Sequence, residues 1–460
     1  MMKPKGVKKN ISSILSKDNL MSPPRILVFG FATVILIGTM LLMLPASSLD
    51  NQSVGFVNAL FTATSAVCVT GLVVVDTGTH WTTFGKTVIL LLIQIGGIGF
   101  MSMATLFAVL LGKKISLKER LIIQQAVGQN TLSGVVKFSL YMLGLTFMLE
   151  SIGALLLSFR FIPEYGVLKG IGYSIFHAVS AFCNAGFDLI GNGRSLTPYV
   201  NDPLITLTIG TLIILGGIGF AVIVDVFSNF KKKRFTLHTR IVLTMTVFLL
   251  ATGTLLFLIF EWNNINTLGA LTIPDKLMAS FFQSLTTRTA GFNTIDTAGL
   301  TNGSKLLTII LMFIGGSPAS TAGGIKTVTF GIILIMALTV IEGKDRVGIF
   351  KRDISYSIVN RAITIAVIAM ILLITITMAM TVIESQFEFM DILFEVASAL
   401  GTVGLSTGVT PELSDTGKLL IIFTMFSGRV GTLTIAFALA NRQQNYKNLI
   451  QYPEEKVIVG

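Results

Sequence analysis

The chain has 460 residues, 52% of them hydrophobic and only 12% charged, with a net charge of +11. A soluble globular domain is about a quarter charged, so an ordinary soluble enzyme or binding module is excluded. The basic excess does not indicate nucleic acid, because the charge is sorted by position along the chain.

Residues 1–25 are basic, and the first apolar run covers 26–44 and ends at Pro45. It lacks the small-residue cleavage pattern of a signal peptide. Further apolar runs follow at 88–111, 138–159, 204–227, 241–260, 306–341, 362–383 and 419–440. Runs of about 20 residues match a bilayer. Eight crossings put both termini on one side. The loops on that side are 1–25, 112–137, 228–240, 342–361 and 441–460, and they hold 24 of the 34 Lys and Arg. The positive-inside rule makes that side the cytoplasm of the cell membrane. Lys231, Lys232, Lys233 and Arg234 are then topogenic, and no nucleic-acid partner is expected. The opposite loops hold 14 of the 23 acids. A negative vestibule concentrates cations, although exclusion of basic residues by topology gives the same bias.

Between the crossings lie four outer stretches too apolar for free loops and too short to span: NALFTATSAVCVTGL, YSIFHAVSAFCNAGF, ASFFQSLTTRTAGF and DILFEVASALGTVGL. In each, a Phe precedes a Gly by ten residues: Phe61 and Gly71, Phe176 and Gly186, Phe281 and Gly291, Phe394 and Gly404. Each Gly is followed by Leu72, Phe187, Phe292 or Leu405. Ser-Ala recurs at Ser65, Ser180 and Ser398, with Leu285-Thr286 in the third copy. The spacing predicts an all-α membrane fold of four internal repeats. Each repeat is a crossing, a re-entrant half-helix, a Gly loop and a second crossing: 26–111, 112–227, 228–341 and 342–440. Segments 1–25 and 441–460 flank them. An even number of crossings per repeat makes the copies parallel, so all four loops can surround one axis, unlike inverted transporter repeats.

Such loops suit a cation. Rings of backbone carbonyls replace a hydration shell, and Gly frees the backbone to turn them inward. A half-helix aims its negative C-terminal end at the axis. The candidate cation-binding residues are Val67, Cys68, Val69, Thr70 and Gly71; Phe182, Cys183, Asn184, Ala185 and Gly186; Thr287, Arg288, Thr289, Ala290 and Gly291; and Leu400, Gly401, Thr402, Val403 and Gly404. Arg288 would oppose a cation, so its side chain is expected behind the half-helix. Cys68 and Cys183 are too few for a disulfide framework and read as small packing residues. Asp76 and Asp188, just past their glycines, read either as shaping the outer mouth or as solvated loop acids. His177 reads as a packed polar residue rather than a ligand.

The second crossings match through Ile95-Gly96-Gly97-Ile98-Gly99, Leu215-Gly216-Gly217-Ile218-Gly219, Ile314-Gly315-Gly316-Ser317-Pro318 and Phe426-Ser427-Gly428-Arg429-Val430. In the first two the glycines read as close helix packing. Only in the third is a break expected, across Gly315, Gly316, Ser317, Pro318, Ala319, Ser320, Thr321, Ala322, Gly323 and Gly324. Placed below the Gly loops, this stretch is a candidate gate. Lys326 and Arg429 lie at similar depth, where basic residues cost about 2.5–3.5 kcal/mol to insert and usually work. Arg429 could bond loop carbonyls or pair with Glu150.

Together these residues resemble the Trk/Ktr/HKT superfamily of potassium transporters, nearest to the bacterial Ktr membrane subunits. The likeness rests on Thr70-Gly71-Leu72, Asp76-Thr77-Gly78, Gly112-Lys113-Lys114, Asn184-Ala185-Gly186-Phe187, Arg288-Thr289-Ala290-Gly291-Phe292-Asn293 and Gly401-Thr402-Val403-Gly404-Leu405. It covers nearly the whole chain. The resemblance implies potassium as substrate, often with sodium dependence, bound only at filter carbonyls. It implies a homodimer docked on cytosolic nucleotide-binding ring subunits. Glycines 71, 186, 291 and 404, the loop 315–324 and Arg429 carry over, while Pro318 departs from the pattern. The chain itself has no nucleotide motif, so no cofactor is expected in it. An intramembrane enzyme would need several convergent acids, His or Cys, and only Glu150 lies at that depth. A coupled symporter with alternating access is the alternative.

Overall fold

The computed structural model describes residues 23–99, 134–230 and 234–431, plus isolated positions among 102–124. The described helices are α1 (Pro23–Leu42), α2 (Phe56–Cys68), α3 (Thr83–Ile98), α4 (Val135–Tyr165), α5 (Val167–Phe182), α6 (Pro203–Ile218) and α7 (Phe220–Asn229), then α8 (Leu237–Glu261), α9 (Ile273–Thr286), α10 (Asn302–Phe313), α11 (Thr327–Ile341), α12 (Tyr356–Ile383), α13 (Phe389–Gly401) and α14 (Asp415–Val430). A hairpin of β1 (Gly348–Ile349) and β2 (Arg352–Asp353) joins α11 to α12.

One succession occurs four times: a long helix, a short helix, a loop with a positive-φ Gly, and a further helix. The long helices α1, α4, α8 and α12 are long and apolar enough to cross a membrane, and the bent pair α6–α7 is so only when its two helices are taken together. They bury one face and expose apolar side chains on the other, as at Leu155, Phe159, Leu255, Ile259, Ile371 and Met378. Lipid tolerates that pattern, whereas water would not. The short helices α2, α5, α9 and α13 are buried over most of their length. They form the core around which the long helices stand.

Caps set the boundaries. Thr82, Thr236, Thr301 and Ser414 each accept a hydrogen bond from the amide three residues on, and Asp202 accepts from Leu204 and Ile205. These satisfy amides that a helix start leaves free.

One expectation is overturned. The third repeat is not alone in having a broken second crossing. In the second, α6 and α7 meet at Gly219 with a 94° bend. Gly219 has φ +98°, and the amide of Phe220 donates to Ala319 O at 3.1 Å instead of continuing the helix. Helices α3 and α14 end likewise at Gly99 (φ +88°) and Gly431 (φ +92°). Each of α3, α6 and α14 has 16 residues. At about 1.5 Å per residue that is some 24 Å, less than the ~30 Å hydrocarbon core. The expected runs to 111 and 440 lie largely outside the described residues. In the third repeat the break is longer, from α10 to α11, as the small-residue run predicts.

Candidate functional site

The four short helices end three to five residues before Gly71, Gly186, Gly291 and Gly404. These glycines pack against one another in a closed cycle. A Cβ on Gly71 would lie 2.4 Å from Ala185 O, and one on Gly186 would lie 2.8 Å from Ala290 O. On Gly291 it would lie 2.6 Å from Val403 O, and on Gly404 2.2 Å from Thr70 O. The positions equivalent in sequence are therefore equivalent in space, and no side chain fits at any of them.

The backbone on the way into the ring is also common to all four. Two residues before each Gly stands a non-glycine with positive φ: Val69 (57°), Asn184 (58°), Thr289 (66°) and Thr402 (50°). The intervening Thr70, Ala185, Ala290 and Val403 have negative φ. Alternating signs of φ let successive carbonyls face the same side of the chain, which a strand does not. For β-branched Val69, Thr289 and Thr402 this conformation costs about 1–2 kcal/mol each, strain of the kind found at working sites. Sequence gave no warning, because neither Val nor Thr favours it.

The recurrent hydroxyl has a task here. Ser65 Oγ and Ser398 Oγ accept from the amides of Gly71 and Gly404, each at 3.1 Å. Ser180 Oγ donates to Phe187 O at 2.7 Å, and Thr286 Oγ1 donates to Phe292 O at 2.5 Å. In every unit the half-helix thus holds the strand of chain leaving the ring.

A second brace sits nine residues before the Gly. His177 Nε2 accepts from the amide of Leu189 at 3.4 Å, and Glu395 Oε1 accepts from that of Thr407 at 3.1 Å. Both amides lie three residues past their Gly. Glu395 also accepts from Ser406 Oγ and from Thr410 Oγ1 at 2.7 Å. The corresponding Thr62 and Phe282 make no such bond: Thr62 Oγ1 donates within its own helix to Asn58 O. In the sequence His177 reads as a packed polar residue and Glu395 carries no signal, because the four positions share no residue type.

Other candidate residues are placed as follows. Cys68 and Cys183 are free and buried. Cys183 Sγ lies 3.8 Å from Glu150 Oε1, and Glu150 Oε2 accepts from Gln94 Nε2 at 3.0 Å. Arg288 is buried and reaches outward to Thr246 Oγ1 of α8 at 3.5 Å. Asp76 Oδ2 accepts from the amide of Gly193 at 2.9 Å, tying the loop after Gly71 to the loop after Gly186. Asp188 is half-buried in the loop after Gly186. Burial, and secondarily the charge of Asp76, push its carboxyl up to about 6. Among the described residues no cluster of three or more His, Cys, Asp or Glu could hold a metal ion.

Below the ring the 315–324 loop is wedged between units. Ser317 N donates to Gly217 O at 2.9 Å, and Thr321 N to Gly216 O at 3.2 Å. Thr321 Oγ1 reaches Phe182 O at 3.2 Å and Asn184 Oδ1 at 3.0 Å. A Cβ on Gly323 would lie 2.0 Å from Thr402 Oγ1. Lys326 Nζ donates to Ala322 O at 2.7 Å. Arg429 donates through Nη1 to Thr321 O, and through Nη2 to Gly96 O and, at 3.2 Å, Gly97 O. It therefore latches the loop to the first unit and makes no pair with Glu150.

The register of the fourth crossing needs correction by one residue. A Cβ on Gly96 would lie 2.0 Å from Val67 O, one on Gly216 1.9 Å from Phe182 O, and one on Gly428 2.1 Å from Leu400 O. Gly428, not Ser427, is the equivalent of Gly96, because only Gly admits that carbonyl. Arg429 thus stands where the first two units have Gly97 and Gly217.

The sequence matches the family model described as TrkH cation transport protein over residues 7–448. It is 46% identical over 451 residues to Ktr system potassium uptake protein B of Bacillus subtilis (strain 168), covering 97% of this chain and 100% of that one. It is 44% identical over 449 residues to the potassium/sodium uptake protein NtpJ of Enterococcus hirae, covering 96% and 98%. The crystal structure of the potassium transporter TrkH from Vibrio parahaemolyticus superposes with a TM-score of 0.72 at 17% identity, covering 91% of this chain and 85% of that one. At that identity the likeness is one of fold. With the family model spanning nearly its whole length, this multi-pass membrane chain belongs to the TrkH cation transport family.

Proposed function

We propose that this chain takes up potassium through a single pore made by four parallel crossing–half-helix–crossing units, 26–111, 112–227, 228–341 and 342–440. The observation that carries the reading is the closed cycle of contacts among Gly71, Gly186, Gly291 and Gly404. Carbonyls of the residues leading into each Gly, from Val67, Phe182, Thr287 and Leu400 onward, replace the hydration shell of the ion. The four half-helix ends add partial negative charge at the same place. The 315–324 loop closes the path from below, and Arg429 and Lys326 hold it there with positive charge. Flux then requires that loop to move.

The distribution of Lys and Arg supports cytoplasmic termini. The names of the Bacillus and Enterococcus relatives support potassium, with sodium as a second cation. By the same kinship the chain works as a homodimer on a cytosolic nucleotide-binding ring, which would supply regulation. Growth of a potassium-uptake-deficient bacterium at low potassium tests the reading. The wild-type chain restores growth, and Gly71→Ser and Gly291→Ser do not. Rescue that persists in both variants contradicts the assignment.

A further inference from the structure

We infer that a cleft between the third and fourth units, on the side of the ring where the 315–324 loop lies, binds a phosphate-bearing anion, and that a phospholipid headgroup supplies it. The cleft is a cavity of about 280 Å³. Lys326, Arg361 and Arg429 line it together with Phe313, Ile365 and Val430. Lys326 and Arg429 donate only to backbone carbonyls. Carbonyls are dipoles, not counter-charges. Among the described residues no carboxylate forms an ion pair with any of the three. The half-buried Lys326 and Arg429 and the exposed Arg361 therefore meet at one cavity without a formal negative charge, an arrangement that low dielectric makes costly for the first two.

An anion resolves the imbalance. Basic pockets between membrane helices on the cytoplasmic side take anionic headgroups, and the charge bias of the loops puts this cleft on that side. The apolar part of the wall decides the source. Phe313, Ile365 and Val430 suit acyl chains, for which a free phosphate has no use. Bound charge there would also weaken the positive barrier that Arg429 sets under the ring. That consequence rests on the pore reading, whereas the binding does not.

Native mass spectrometry of the full chain tests the site, with phosphatidylglycerol, phosphatidylcholine or inorganic phosphate added after delipidation. Phosphatidylglycerol should be retained over phosphatidylcholine. Arg361→Gln, at an exposed position, and Lys326→Gln should each weaken retention about fivefold, at about 1 kcal/mol per charge. Melting curves for each variant establish that it is folded. Displacement of the lipid by inorganic phosphate supports the shared phosphate chemistry. Equal retention of the two lipids, or wild-type retention by the double variant, overturns the site. Stabilisation by inorganic phosphate with no lipid retained overturns the lipid as its source. Gly71→Ser should keep the lipid while losing transport, so failure of the pore reading and failure of this one fall on different readouts.

Discussion

At Gly71, Gly186, Gly291 and Gly404 each unit meets the next through the same kind of contact, a glycine against a carbonyl. A few residues lower the units part company. The first and second carry Gly97 and Gly217, the third a ten-residue loop, and the fourth Arg429. On the proposed pore reading the ring needs sameness, because one ion must meet four similar oxygens at once. A closure needs difference, because a fourfold plug has no single piece to move. Here one unit supplies the piece, the second receives it through Gly216 and Gly217, and the fourth latches it to the first.

The largest expected effect strikes the common half. Gly→Ser at any ring position puts a Cβ within 2.8 Å of a neighbouring carbonyl and strains a positive φ. Strain of about 1–3 kcal/mol alone implies a loss of uptake of about fivefold to a hundredfold, and the clash with the carbonyl brings it to about tenfold or more. If the four positions differ widely in isotope flux, the ring is less equal than its contacts.

Next comes the asymmetric half. Arg429→Ala removes charge-assisted bonds to three carbonyls, worth about 1.5–3 kcal/mol each when measured singly. Flux into proteoliposomes should rise about tenfold, and so should flux after shortening residues 317–323. Unchanged flux in both sinks the latch.

Glu395→Ala should act within one quarter of the ring. It frees Thr407 and Thr410, and the potassium-to-sodium preference should fall severalfold, with Glu395→Gln keeping most of it. Thr62→Ala, at the matching position of the first unit, should leave the preference alone. An equal loss in both would mean that packing, not the brace, matters.

The smallest effect belongs to Asp76→Asn. It weakens one exposed tie between outer loops, worth under about 1 kcal/mol. A twofold to fivefold rise in the potassium concentration for half-maximal uptake is expected, fading at high salt.

Much of this was legible in sequence. The offset of Phe61, Phe176, Phe281 and Phe394 from the glycines located the four half-helices, and the run at 315–324 located the break in the third unit. What the sequence hides has physical causes. The bend at Gly219 looked like helix packing, because its reason is a hydrogen bond from Phe220 to the distant Ala319. The register of Arg429 slipped because Ser427 is small like the glycines beside it, and only the Leu400 carbonyl tells them apart. The braces at His177 and Glu395 were invisible because unlike side chains perform the same bond.

Isotope flux into proteoliposomes is the most direct measurement, with serine placed at each ring glycine in turn. The account predicts that all four substitutions cut potassium entry by at least about tenfold, while the purified proteins still melt cooperatively. Undiminished entry in any two folded variants would contradict a single path through the ring.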